Sequence, residues 1–153
     1  MMTKLLFVCL GNICRSPAAE AIFRKLYPAA ITDSAGTAGY HIGEPPYGPM
    51  QKTALIRGID MADLRARQFS PADFSNFDLI LVMDRQNLRD VEALRPKGAA
   101  TAVELFAPMA AGFDMEEVPD PYYTRDFSGC LDLLEAAAEG LRQRLDLAQR
   151  DTG

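Results

Sequence analysis

An α/β fold is what the sequence predicts: a single three-layer domain, with a central parallel sheet of about four strands and helices on both faces. Two observations predict that arrangement and a third bounds it. Short apolar runs alternate with segments of helical periodicity along the chain, the signature of parallel strands joined by helical crossovers. The first run, Leu5-Leu6-Phe7-Val8, is unbroken, which suits a strand covered on both sides and places it near the middle of the sheet. The 153 residues fit one domain, spanning 1–153 with fraying expected after about residue 148, and suffice to bury a core.

Composition removes several classes of function. Apolar residues at 48% and charged residues at 24% describe an ordinary globular chain. No apolar run reaches the length of a membrane span and no secretory core segment precedes a cleavage site, so the expected setting is the cytoplasm. Three cysteines cannot all pair, and two of them stand five positions apart in one tight loop, which is no disulfide framework. With one histidine and no Cys-x-x-Cys pair, neither a metal site nor a cofactor is expected. A net charge of −5 argues against nucleic acid as a partner and makes any basic anion site a local feature.

The strand over Leu5–Val8 leads into Cys9-Leu10-Gly11-Asn12-Ile13-Cys14-Arg15-Ser16-Pro17. Pro17 is preset for a first helical position, and Ala19, Ile22, Phe23 and Leu26 follow at helical spacing. Gly11 and Asn12 tolerate the left-handed conformations that a tight loop needs. Converging loop amides, a helix N-terminus and the planar fork of Arg15 then make an anion cradle fitted to phosphate. The same field favours the thiolate of Cys9, making it a nucleophile toward phosphorus; the competing reading is a small buried residue at a strand end. No Gly-Lys-Ser/Thr follows the glycine, which excludes a nucleotide loop of the Walker type.

Ala30-Ile31-Thr32 reads as the second strand, closing in a loop over Asp33–Thr37 at the edge where open α/β sheets place ligands. Gly39–Pro46 is a Gly/Pro-rich loop carrying Tyr40, and its His41 reads as a solvated side chain. Met50, Thr53, Ala54 and Leu55 suit one face of a second helix that Gly58 ends. Arg65–Phe69 is a short strand or extended segment, and Ser70-Pro71 opens a helical turn with Ser70 as cap. Asp78–Asp84 is another buried strand, with Asp84 capping the helix that bears Leu88, Val91 and Leu94 and stops at Pro96. Thr101–Phe106 is the last strand, and 107–118 reads as a mobile surface loop. Leu131, Leu134, Ala138, Leu141 and Leu145 stripe a long final helix, with Cys130 a core thiol at its start.

Cys9 to Ser16 fits a Cys-(x)5-Arg-Ser pattern, and Asp120-Pro121-Tyr122-Tyr123 stands near the far end. Together with Phe7–Pro17 these motifs resemble the low-molecular-weight protein tyrosine phosphatase family over essentially the whole chain. The resemblance implies hydrolysis of phosphotyrosine in a protein substrate through a cysteinyl-phosphate, with phosphate and other oxyanions as inhibitors. It makes Cys9 the nucleophile, has Arg15 and the loop from Leu10 through Gly11, Asn12, Ile13 and Cys14 bind phosphate, and makes Asp120 the general acid and then base. Ser16 would bond the Cys9 sulfur, Ser34 would support Asn12, and Tyr40, Ile13, Tyr122 and Tyr123 would line the ring slot. Without the resemblance, Asp120 and Ser34 read as turn residues and Tyr40 as an exposed tyrosine.

Cys14 reads either as a resolving thiol that joins Cys9 on oxidation or as a packed loop residue. Many family members carry a histidine where this chain has Leu64, which leaves the hydrogen-bonding behind the loop one polar member short. Phosphoarginine phosphatases are similar but typically carry threonine at the position of Ile13. Arsenate reductases on this scaffold need two further cysteines, and 84–118 contains none. A non-hydrolytic phosphocarrier has no use for Asp120. The expected state is a monomer or weak homo-oligomer.

Overall fold

The computed structural model describes residues 2–152, with side chains through residue 150. Strand β1 (Lys4–Cys9) lies inside a parallel sheet, flanked by β2 (Ile31–Gly36) and β3 (Leu79–Val82), with β4 (Ala102–Leu105) beyond β3. The order is β2-β1-β3-β4, so the unbroken apolar run occupies the interior as its composition requires. Alternate side chains of β1 feed two cores. Leu5, Phe7 and Cys9 pack with α1 (Arg15–Leu26) and α6 (Phe127–Thr152), and the Phe7 ring stands 5.3 Å from Phe106 and 6.1 Å from Phe23. Leu6 and Val8 pack on the other face with Phe69, Phe74 of α3 (Asp73–Asn76) and Val91 of α4 (Arg85–Glu92). Each such buried side chain contributes roughly 1.5–3 kcal/mol.

The connections set the position of the site. From β1 the chain crosses to β2 on one side and later returns to β3 on the other, so β1 and β3 flank a topological switch point where a crevice opens outside their carboxyl ends. The loop between Cys9 and Arg15 and Asp84, two residues past the end of β3, both sit there.

Several local expectations need correcting. β2 runs on through Asp33–Gly36, with Ser34 opposite Phe7, Ala35 opposite Val8 and Gly36 opposite Cys9. Those small residues are there for space, since a Cβ on Gly36 would lie 2.7 Å from the Leu10 carbonyl oxygen and 3.1 Å from the Asn12 nitrogen. Helix α1 starts at Arg15 behind Cys14, so Pro17 is its third residue, still within the turn whose N–H groups have no helical partner. Ser70 is not the cap of α3; the Asp73 carboxylate accepts from the Ser70 N–H and from Arg67. Of the two readings of Arg65–Phe69, the extended segment holds, joined to the sheet by one bridge, Gln68 to Gly36.

Elsewhere the helices differ in detail. In α2 (Gly48–Ile56) Met50 and Ala54 face the core, but Leu55 is 62% exposed. Gly58, at φ +77°, follows its end as expected. Asp84 caps α4 by accepting from the Asn87 N–H at 2.8 Å, and Leu94 lies beyond the helix, exposed. The 107–118 segment is held at both ends: it opens with a 3-10 turn at Ala107–Met109, and buried Val118 donates its N–H to the Met83 carbonyl at 2.8 Å.

Gly36→Ala is expected to lower stability by about 1–3 kcal/mol, the usual range for overpacking, and to displace the loop above it. Urea denaturation with an activity assay checks this; a variant matching the parent in both contradicts the close approach.

Candidate active site

The loop after β1 is shaped by Asn12, whose φ of +57° is the left-handed conformation that asparagine tolerates. Its side chain is turned inward and fully engaged. Oδ1 accepts from the Arg67 N–H at 3.0 Å, and Nδ2 donates to Ser16 Oγ at 2.8 Å and Ser34 Oγ at 3.0 Å. Ser34 Oγ in turn donates to Glu20 Oε1 at 2.7 Å. With the side chain pinned, the Asn12 N–H points at Cys9 Sγ, 3.3 Å away, and Ser16 Oγ lies 3.0 Å from the same sulfur. Cys9 is buried at the carboxyl end of β1, with one main-chain N–H and one hydroxyl group against its sulfur.

Arg15, the first residue of α1, is 97% buried along its side chain, since only 3% of it is exposed. A guanidinium in that position needs partners, and it has them. Nη1 donates to Asp84 Oδ2 at 2.8 Å and to the Val118 carbonyl at 2.9 Å, while Nη2 stands 3.4 Å from Asp120 Oδ2. Burial works against its charge, but Cys9, Asp84 and Asp120 outweigh burial and hold its pKa above the ordinary value. Asp120 is itself fixed as the cap of the short α5 (Pro121–Thr124), Oδ1 accepting from the Tyr122 N–H at 3.0 Å.

Above Cys9 and Arg15 opens a cavity of about 320 Å³, lined by Leu10, Gly11, Ile13, Cys14, Asp120 and an aromatic rim of Tyr40, His41, Tyr122 and Tyr123. That volume lies at the small end of ligand pockets. Tyr122 and Tyr123 meet edge to face at 5.4 Å. His41 is not merely solvated: its ring packs over Gly11, where a Cβ would come within 3.1 Å of Cδ2, and Nδ1 pairs with Glu44. Space for that ring, not a left-handed backbone, is what Gly11 supplies, since among the described residues of this loop Asn12 alone has positive φ.

The family model described as low molecular weight phosphotyrosine protein phosphatase matches residues 4–150. The chain belongs to that family. Low molecular weight protein-tyrosine-phosphatase YfkJ of Bacillus subtilis is 38% identical over 146 residues, covering 92% of this chain and 94% of the relative. The low molecular weight protein-tyrosine-phosphatase of Streptomyces coelicolor is 42% identical over 153 residues, covering 92% of each. A crystal structure of the Entamoeba histolytica protein tyrosine phosphatase, with Hepes in its active site, superposes with a TM-score of 0.89 at 39% identity, covering 96% of this chain and 99% of that one.

Within this family member, ten sequence-derived candidates share one cavity: Cys9, Leu10, Gly11, Ile13, Cys14, Arg15, Tyr40, Asp120, Tyr122 and Tyr123. Asn12, Ser16 and Ser34 lie beneath it as the bonded scaffold of the loop, so the Asn12 side chain does not line the cavity. Burial, then Cys9 and Asp120, pushes the Cys14 thiol up, and burial pushes that of Cys130 up to about 12, so both stay protonated at neutral pH.

Four participants were not found from sequence. Asp84 was assigned only a capping role, although the switch-point rule places a residue after β3 at the crevice. Glu20 stands one helical turn after Ser16 on the buried face of α1, where a carboxylate among Ala19, Ile22 and Phe23 is the visible signal. The main-chain N–H of Arg67 carries no sequence signal, and His41 carries only its type.

Glu20 is pushed up from 4.5 to about 7 by burial, with the Ser34 hydroxyl opposing and Asp33 adding to the shift. A raised carboxyl pKa means the folded state holds a proton that the unfolded chain releases, so Glu20 favours folding below about pH 4.5 and that contribution is lost as pH rises through about 7. Glu20→Gln ionises at no pH. The stability gap between variant and parent should therefore move in the variant's favour from pH 5 to pH 8; an unchanged gap in urea midpoint refutes it.

Proposed function

We propose that this chain hydrolyses phosphotyrosine in protein substrates through a cysteinyl-phosphate intermediate, and that the residues gathered at the cavity divide the work as follows. The carrying observation is that Arg15, bonded to Asp120, stands with Cys9 at one small cavity, so nucleophile, charge stabiliser and carboxyl group converge. The Cys9 thiolate attacks phosphorus while the ester P–O bond breaks, and the departing phenolate takes a proton from the Asp120 carboxyl group. Nη1 of Arg15 is occupied by Asp84 and Val118 and one hydrogen of Nη2 by Asp120, which leaves Nε and the other Nη2 hydrogen with the loop amides for the phosphoryl oxygens. Asp120, now a carboxylate, removes a proton from water as that water attacks phosphorus. The P–S bond breaks with Ser16 hydrogen-bonding the released sulfur, and inorganic phosphate leaves.

The aromatic rim supports an aryl ester as the substrate. A phenyl ring can lie between Tyr40 and the Tyr122–Tyr123 pair, with Ile13 beneath it. Hepes in the active site of the Entamoeba relative shows that the same fold accepts a sulfonate buffer there. Three free buried thiols, one of them the nucleophile, fit a reducing compartment and so a cytoplasmic setting.

Cys9→Ser is expected to abolish turnover while phosphate or vanadate still binds. Asp120→Ala should lower kcat/KM far more for phenyl phosphate than for p-nitrophenyl phosphate, whose phenolate leaves without a proton; a positioned acid contributes roughly 100-fold or more. Equal loss on both esters removes Asp120 from the role of acid.

A further inference from the structure

Asp120 and the phosphate loop come from distant parts of the chain, and one exposed arginine ties them together. Arg125 follows α5 with φ +63°. That backbone suits glycine or asparagine, so an arginine here carries strain that its side chain must offset. Nη1 donates to Tyr47 Oη at 3.0 Å and, at 3.4 Å, to the Tyr122 carbonyl. The guanidinium lies 5.3 Å over the Tyr47 ring and 5.1 Å over Phe127. Among the described residues it makes no ion pair.

What it grips matters for the site. The Tyr47 N–H donates to the Ile13 carbonyl at 2.8 Å, inside the phosphate loop. The Tyr47 ring packs 5.2 Å from that of Tyr122, the residue whose N–H bonds Asp120 Oδ1. A continuous path therefore runs from Ile13 through Tyr47 and Arg125 to Tyr122 and Asp120. The short α5 needs such a tie. Four residues make too few hydrogen bonds to hold a helix alone, and Pro121 is its one buried side chain.

We propose that Arg125, acting through Tyr47 and Tyr122, is a positioning residue that sets Asp120 over the phosphate loop. The proposal rests on Asp120 being the general acid. Loss of the clamp leaves nucleophile, loop and Arg15 untouched and affects only proton delivery. The signature is thus a change in leaving-group dependence rather than a general loss of activity.

Arg125→Gly separates this from a structural role, because glycine relieves the positive φ while removing the clamp. The expected result is an unfolding temperature no lower than the parent's. With it should come kcat/KM for p-nitrophenyl phosphate within about 2-fold and for phenyl phosphate lower by about 3- to 10-fold, the scale of one cation–π and hydrogen-bonded contact. Arg125→Lys should recover part of the loss, and Tyr47→Phe, which removes the acceptor, should show a weaker version of it. Asp120→Ala, run alongside, separates the two readings. If it shows the leaving-group effect and Arg125→Gly matches the parent on both esters, or falls equally on both, the clamp is refuted. If Asp120→Ala itself shows no such effect, the acid assignment fails first.

Discussion

A positive charge taken out of water is the constraint around which this structure is arranged. Arg15 is almost wholly buried, and removing a guanidinium from solvent costs several kcal/mol unless its N–H groups are matched. Each partner that matches it comes from a different part of the chain. Asp84 caps α4 just past β3, Val118 closes the segment after β4, and Asp120 caps α5. The ion pair with Asp84 spans the switch point of the sheet, so the strand order that places β1 beside β3 also brings the carboxylate to the guanidinium. Val118 is fastened through its N–H to Met83 at the end of β3, so its carbonyl is presented to Arg15 from a fixed backbone. Fold and site thus share one requirement.

The sulfur is served by a second arrangement that depends on Asn12. Three hydrogen bonds hold its side chain, and its left-handed backbone turns its own N–H toward Cys9. Asparagine fits because it supplies two donors and an acceptor while tolerating positive φ. The anion-binding face of the loop is left free for substrate because the polar side chains below it are already satisfied by one another.

Much of this is legible in the residues, and what is not has physical reasons. The strand at Leu5–Val8, the cap at Asp84 and the stripe from Leu131 to Leu141 follow from periodicity and capping chemistry, which act locally. The second strand was cut short because Asp33-Ser34-Ala35-Gly36 has the composition of a turn. It is a ladder strand whose small side chains make room for the phosphate loop folding back over them. Propensity lost to a tertiary packing demand. His41 reads as solvated from sequence because its partners, Glu44 and the face of Gly11, depend on how a Gly/Pro-rich loop closes, which no local rule fixes. The functional set was readable through motif spacing, whereas its supports are largely main-chain groups. Every residue has those groups, so sequence cannot single them out.

Main-chain supports also explain how position 64 can be apolar. Leu64, at the position where the family resemblance implies a histidine in many members, packs against the apolar core. The loop nevertheless loses no anchor. Asn12 Oδ1 is satisfied by the Arg67 N–H, Thr37 and Ala38 donate to the Cys9 and Leu10 carbonyls at 2.9 Å, and Tyr47 donates to Ile13. These are backbone donors, indifferent to which side chain occupies position 64. Glu20, a further polar group beneath the loop, keeps a hydroxyl partner in Ser34. Burial outweighs that hydroxyl and pushes the carboxyl group, two hydrogen bonds from Asn12, up to about 7. An apolar side chain at position 64 is thus compatible with a phosphate loop anchored by main-chain donors.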